Sequence, residues 1–270
     1  MLLTPFQLKD CSSVASLKPA GNLEDICSYL ADYLRVGEIP DYPGAWNGLQ
    51  VENRGNVTSI VAAVDACRAT IDQAAAIGAD LMLVHHGLFW GKDPRITGPH
   101  GDRIRQLVEH DLAIYSSHIP LDAHPIVGNN AVLAGRLGLQ SLEPFGTFEG
   151  VAIGIRGSVD LDRDDLAGLV TTAVGGPVHL IRGGPERVRS VGVITGGAGS
   201  MIRDAHQAKL DAFITGEGAH HTFFDAEELG VNVIYAGHYA TETFGVKALA
   251  QHVSERFGIP WEFVDHPTGL

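Results

Sequence analysis

Strongly apolar, β-branched segments alternate along this chain with amphipathic ones, and the alternation occurs twice in the same order. VTSIVAAVD (57–65) reads as a buried strand, RATIDQAAAIG (68–78) as a helix closed by Gly78, and DLMLVHHG (80–87) as a second strand. GDRIRQLVEHD (101–111) is a helix and LAIYSSH (112–118) a third strand. This strand–helix–strand rhythm predicts a mainly parallel sheet covered by helices, an α/β fold. VRSVGVITG (188–196), SMIRDAHQAKL, DAFITGEG, FFDAEELG and NVIYAGH (232–238) repeat the order. The correspondence is weak residue by residue but consistent in sequence, and it predicts two related lobes. GLQSLEPFGTFEG, rich in glycine and turn formers, reads as the connector between them. VAIGIRG (151–157) then restarts the strand pattern. DRDDLAGLVTTAVGG follows as a helix whose acidic first turn suits the helix dipole. The expected division is a flexible extension over 1–20, a first lobe over 21–145 and a second over 146–270, the C-terminal segment packing back on the first lobe.

A chain of 270 residues is one large domain or two smaller ones, long enough for a sizeable core. With 45% hydrophobic and 19% charged residues it is not a disordered chain. A net charge of −13 argues against nucleic acid as a general partner, because an acidic surface repels phosphates. Cys11, Cys27 and Cys67 are odd in number and lack CxxC spacing, so they suggest neither a disulfide framework nor a cysteine zinc site. A reducing cytoplasm fits them. No apolar run approaches the roughly 20 residues of a membrane helix, and the first residues do not read as a signal peptide.

Three constellations carry chemistry. His85 and His86 directly follow the apolar run LMLV, at a strand's carboxyl end, where open α/β sheets bind ligands. SHIPLDAH sets His118 and Asp122 four apart, with Pro120 able to open a helix. GHYATETFG sets His238 and Glu242 four apart after the strand NVIYAG. The second and third occupy equivalent places in the two halves. A lone histidine at a strand end is ordinarily a surface or hydrogen-bonded residue, and His100, His110, His124, His179, His206, His252 and His266 are read that way. The joint pattern points instead to metal: imidazoles and carboxylates are ligands for zinc, iron or manganese. More than four of them suggest two ions, which can clamp both ends of a hydrolytic displacement.

These segments resemble a known family. ADLMLVHHGLFW, SSHIPLDA, NVIYAGHYATETFGVKAL, WNGLQV (46–51), GTFEG (146–150) and TGEGAHH (215–221) are similar to signatures of the Nif-three-like dinuclear-metal family, also labelled GTP cyclohydrolase type 2 homologue. The resemblance runs from about residue 23 to 265, nearly the whole chain. It implies a two-lobed α/β subunit, a toroidal homohexamer, and two adjacent divalent metals in the crevice between lobes. Carried over position by position, the implied ligands are His85, His86, Asp122, His238 and Glu242. Glu242 would bridge, with His85 and His238 on one ion and His86 and Asp122 on the other. One departure is SHIPLDA, which lacks the Thr and Asn of the family's His-Thr-Asn-Leu-Asp segment. The chain also looks like the short form without an inserted domain.

Around these ligands, His118 is expected to transfer protons or to orient Asp122. Glu217 is expected to act as a base, to bind a metal water, or to serve as a cap. His220 and His221 face either the same cavity or a subunit interface. TGGAGS (195–200) could admit a phosphate at a helix start, although a plain tight turn is the commoner meaning, and it is neither a P-loop nor GxGxxG. The expected function is a metal-dependent hydrolase acting on a small nucleotide or phosphoester-like molecule. The alternative is a non-catalytic protein for metal storage or delivery, or a hexameric scaffold.

Overall fold

The computed structural model describes residues 21–91 and 95–270, so the expected extension over 1–20 lies outside the described residues. The chain begins β1 (Gly21–Asn22), α1 (Leu23–Tyr33), β2 (Gly48–Val51), β3 (Asn56–Val57), β4 (Ile60–Asp65), α2 (Arg68–Ile77), β5 (Leu81–His86). It continues α3 (Gly98–Glu109), β6 (Ala113–Ser116), α4 (Ile119–Asp122), α5 (Asn129–Arg136), β7 (Gln140–Phe148), β8 (Val151–Asp162), α6 (Arg163–Val174), β9 (His179–Arg182). It ends β10 (Arg187–Val193), α7 (Ile202–Gln207), β11 (Ala212–Thr215), α8 (Thr222–Leu229), β12 (Asn232–Tyr235), α9 (His238–Phe257), β13 (Trp261–Phe263).

Two main sheets result. One has the order β13-β4-β5-β6-β2 and the other β7-β8-β10-β11-β12-β9. The repeated rhythm of the sequence is their common centre. β4, β5 and β6 are mutually parallel neighbours, and so are β10, β11 and β12. Residues 60–64, 81–85 and 113–116 are buried, as expected for parallel strands covered on both faces. The outer strands differ between the sheets. β2 joins β6 antiparallel, whereas β7, β8 and β9 add three antiparallel pairings to the second sheet.

The expected connector GLQSLEPFGTFEG departs from its sequence pattern. Most of it is β7, an edge strand paired with β8, and the position 145/146 falls inside this strand. Pro144 is tolerated at the edge, where a missing N–H breaks no ladder on the open side. Ser141 and Gly146 have φ of +53° and +61°, which accounts for the irregular look of the segment. The helices expected at 68–78, 101–111 and 162–176 form as α2, α3 and α6. Gly78 closes α2 in the left-handed conformation at φ 75°.

α9 ties the two halves together. It leaves β12 of the second sheet, yet Tyr239, Val246, Leu249, Ala250 and Val253 sit in the core beneath the first sheet. Phe244 belongs instead to the core of the second. The chain then returns to the first sheet, where β13 pairs parallel with β4. Two fully buried asparagines fasten the crossing. Asn129 Oδ1 accepts from Gly245 N of α9 at 2.6 Å, and Asn130 Nδ2 donates to Ile153 O of β8 at 2.7 Å. Gly245 has no alternative there, since a Cβ would stand 2.8 Å from Asn129 Oδ1. No helix among the described residues is long and apolar enough to cross a membrane.

Candidate metal centre

The carboxyl ends of both parallel triplets open on one crevice. β5 ends in His85 and His86, β4 in Asp65, and the turn after β6 carries His118, whose helix α4 brings Asp122. Pro120 lies in the first turn of α4, as its fixed φ favours. From the second sheet come the turn after β10, Glu217 after β11, and the first two turns of α9 with His238 and Glu242. A spacing of four on a helix puts these two side chains on one face. Their approach is 3.1 Å, His238 Nε2 to Glu242 Oε1.

Glu242 is the hub. It is 2% exposed. Its Oε1 also lies 3.5 Å from His85 Nε2, and its Oε2 lies 3.5 Å from His86 Nε2. Asp122 Oδ2 stands 3.5 Å from His85 Nε2. All five residues implied by the family resemblance therefore converge from the two sheets. His85 lies 3.5 Å from both Asp122 and Glu242, Glu242 Oε1 faces both His85 and His238, and His86, His238 and Glu242 form one close group. At the end of β5 both rings enter the same crevice, their centroids 4.8 Å apart, and His85 reaches α4 and α9 alike.

Each imidazole is oriented from behind. His85 Nδ1 donates to Ser117 O at 3.0 Å, His86 Nδ1 to Asp65 Oδ1 at 2.8 Å, and His238 Nδ1 to Glu217 Oε1 at 2.8 Å. His118 Nδ1 donates to Asp41 Oδ1 at 2.8 Å. Such backing turns the Nε2 lone pair inward and is the usual support of a metal-binding histidine. A ring nitrogen of His118 also clusters with those of His85 and His86. Asp122 is aimed by Asn129 Nδ2, which donates to its Oδ1 at 2.8 Å.

Charge at this centre is strongly coupled. Burial would push His85 down, but the Asp122 and Glu242 carboxylates hold its pKa up at about 10. Contact with Glu242 raises His238 to about 9, with Glu217 adding to it. Burial would raise Glu242, yet His85, His238 and His86 hold it well below the ordinary carboxylate range. Without a metal, protons on the rings supply the positive charge these carboxylates demand. Even so, His85 Nε2 and Glu242 Oε2 are buried with no hydrogen-bond partner among the described residues. Buried polar atoms left so are costly, and imidazole nitrogen facing carboxylate oxygen is a donor set that fits a divalent cation.

Gly196 shapes the second wall. It adopts φ +68°, and a Cβ there would stand 2.3 Å from Glu242 Oε1. The glycines of TGGAGS thus let backbone pass against a carboxylate. The helix α7 beyond them has only 6 residues, and the segment serves as a tight turn. His220 and His221 are exposed, and His220 lines a separate surface hollow with Phe223 and Phe224. His252 stacks on Tyr33 at 4.2 Å and His124 packs tilted against it at 4.4 Å, in keeping with a structural role.

Residues 21–268 match the family described as Duf34/NIF3 (NGG1p interacting factor 3). A protein of Deinococcus radiodurans named GTP cyclohydrolase 1 type 2 homolog is 45% identical over 249 residues, covering 92% of this chain and 94% of its own length. The chain belongs to the DUF34/NIF3 family. A Pyrococcus abyssi protein of the same name is 43% identical, covering 92% and 99% of the two chains. The solved structure of TTHA1606 from Thermus thermophilus superposes with a TM-score of 0.85 at 42% identity, covering 93% of this chain and all of that one.

In this DUF34/NIF3 chain, sequence reasoning missed the supporting residues. Asp41 accepts from His118, from Ile119 N at 3.0 Å and from Asn47 Nδ2 at 2.8 Å. Asn47 Oδ1 accepts from His118 N at 2.7 Å, and Gln50 Oε1 from Leu88 N at 2.7 Å. The segment WNGLQV, one of those resembling the family, holds the turns that bear His86 and His118. Asp65 had a signal, a carboxylate ending a buried strand beside the strand of His86. Asn129 and Asn130 had none beyond being paired amides in an apolar setting.

Proposed function

We propose that this DUF34/NIF3 chain is a metal-dependent hydrolase whose centre takes two divalent ions, zinc, iron or manganese. His85, His86, Asp122 and His238 would hold them, with Glu242 shared. The reading is carried by the buried, unpartnered His85 Nε2 and Glu242 Oε2, set among rings whose Nδ1 atoms are already committed. When bound, such ions polarise a carbonyl, imine or phosphoryl oxygen and lower the pKa of water. The chain's own residues do the rest. His118, fixed by Asp41 beside the cluster, offers Nε2 to hold or pass a proton at the open face. Glu217 is a positioning residue, because it accepts the hydrogen bond from His238 Nδ1. The name carried by the relatives suggests a nucleotide substrate, and a phosphoester suits the same ligand set. A homohexamer working in the cytoplasm belongs to this reading.

A metal storage or delivery role is favoured by one observation, the clustering of His118 with His85 and His86. As a sixth ligand it would fill a position that water needs.

Elemental analysis of gently purified protein tests the centre, with Glu242→Ala beside it. About two equivalents per chain, lost in the variant, is the expected result for a bridged pair. Less than about half an equivalent after reconstitution would remove the dinuclear reading. Hydrolysis of neither nucleotides nor phosphoesters by the loaded protein would leave delivery in place of catalysis. Light scattering should give a mass near six times 28.7 kDa, and a monomer would remove the hexamer.

A further inference from the structure

Beside the ligand cluster lies a cleft of about 500 Å³, within the roughly 300–1,000 Å³ of small-molecule sites. Its floor holds His86, His118, Asp122, His238 and Glu242. Three large aromatic residues gather around it. Trp90 stands edge-on to His118 at 4.9 Å, and Tyr42 lies 4.8 Å from Phe148 and 5.9 Å from His118. Trp90 is 47% and Tyr42 51% exposed, so neither ring is spent on the core. Ile153, Ile194 and Met201 add apolar wall, and the Asp204 carboxylate lies on the lining as well.

We propose that this cleft is a slot for a flat, nitrogen-containing aromatic ring, stacked on Trp90 and the Tyr42–Phe148 pair, with Asp204 accepting hydrogen bonds from the ring's N–H edge. Every heteroaromatic ring has a π face, and stacking on aromatic side chains tolerates many ring identities. An ionised carboxylate only accepts, so Asp204 selects rings that present donors. The slot rests on the proposed function only for its purpose, delivering a ring-bearing substrate to the ligand cluster. It therefore separates the two substrate classes left open above, favouring ring-bearing molecules over simple phosphoesters.

Calorimetric titration of the intact protein tests it, both metal-loaded and after chelation, with metal content measured on the same samples. The probes are guanosine (a flat ring with N–H donors and no phosphate), caffeine (a purine ring without them) and ribose 5-phosphate (a phosphoester without a ring). Guanosine is expected to bind both forms. Trp90→Ala and Tyr42→Ala should each weaken it about tenfold, the scale of one lost stacking contact, and Trp90→Phe should restore most of it. Asp204→Asn should weaken guanosine several-fold and leave caffeine unchanged. Ribose 5-phosphate binding more tightly than guanosine, guanosine affinity indifferent to Trp90→Ala, or a Trp90→Ala effect on oligomer mass alone would each overturn the slot. Low metal content with guanosine binding intact would fault the metal reading and uphold the slot.

Discussion

Loading this centre with metal must expel protons, and the number follows from its charges. In the metal-free protein, burial pulls His85 down, but Asp122 and Glu242 keep its pKa at about 10. Glu242 keeps that of His238 at about 9. Both rings are then almost fully protonated at pH 8, where a histidine with a pKa of about 6.5 is almost wholly neutral. An imidazole binds a cation only after losing that proton. Loading at pH 8 should therefore release about two protons per chain, against almost none for rings of ordinary pKa. Apparent affinity therefore climbs with pH by up to about two log units per unit, then levels once pH has risen through about 9 to 10 and both rings deprotonate unaided. Titrating Mn²⁺ into chelator-stripped protein, in two buffers of different ionisation enthalpy, counts the protons. Equal heats in the two buffers would refute the reasoning, because the rings would then be neutral before any metal arrived. The same shifts govern the stripped fold. A raised histidine pKa stabilises fully below the unfolded value, 6.5, and that contribution is lost as pH rises through about 9 to 10. Melting temperatures of the stripped protein should fall over that interval.

Three substitutions probe the supports. Gly196→Ala forces a Cβ onto Glu242 Oε1 at φ +68°, so a loss of roughly 1–3 kcal/mol is expected together with reduced metal content; normal melting and normal metal content would contradict this. Asp41→Asn replaces an acceptor of several donated protons by a group that is half donor, and urea denaturation should register about 1–3 kcal/mol; an unchanged midpoint would show that the cluster around His118 reorganises freely. Phe213→Ala empties a fully buried site against Phe145, 6.1 Å away; about 3–5 kcal/mol should be lost, and a loss below about 1 kcal/mol would mean the pocket collapses around the gap.

What is legible in the sequence is local. A buried parallel strand announces itself by a run of apolar residues. A helix shows by its period, and a His-x-x-x-carboxylate pair by one helical turn. That is enough for the two parallel triplets and for placing His85, His86, His118, Asp122, His238 and Glu242 at strand ends. The segment 138–150 reads as a connector because its strand character depends on β8, its pairing partner, and not on its own glycines and proline. Asp41, Asn129 and Asn130 are silent for the same reason. Asp41 meets His118 across 77 positions and Asn129 meets Gly245 across 116. The sequence alone determined which residue types stand at the ends of the strands, because burial and helical period act over a few neighbours. Only the tertiary structure decided which of them face one another, which ring shares an oxygen with which, and which polar groups hold them in place. Those outcomes depend on α9 crossing between the two cores, and no local pattern encodes a crossing.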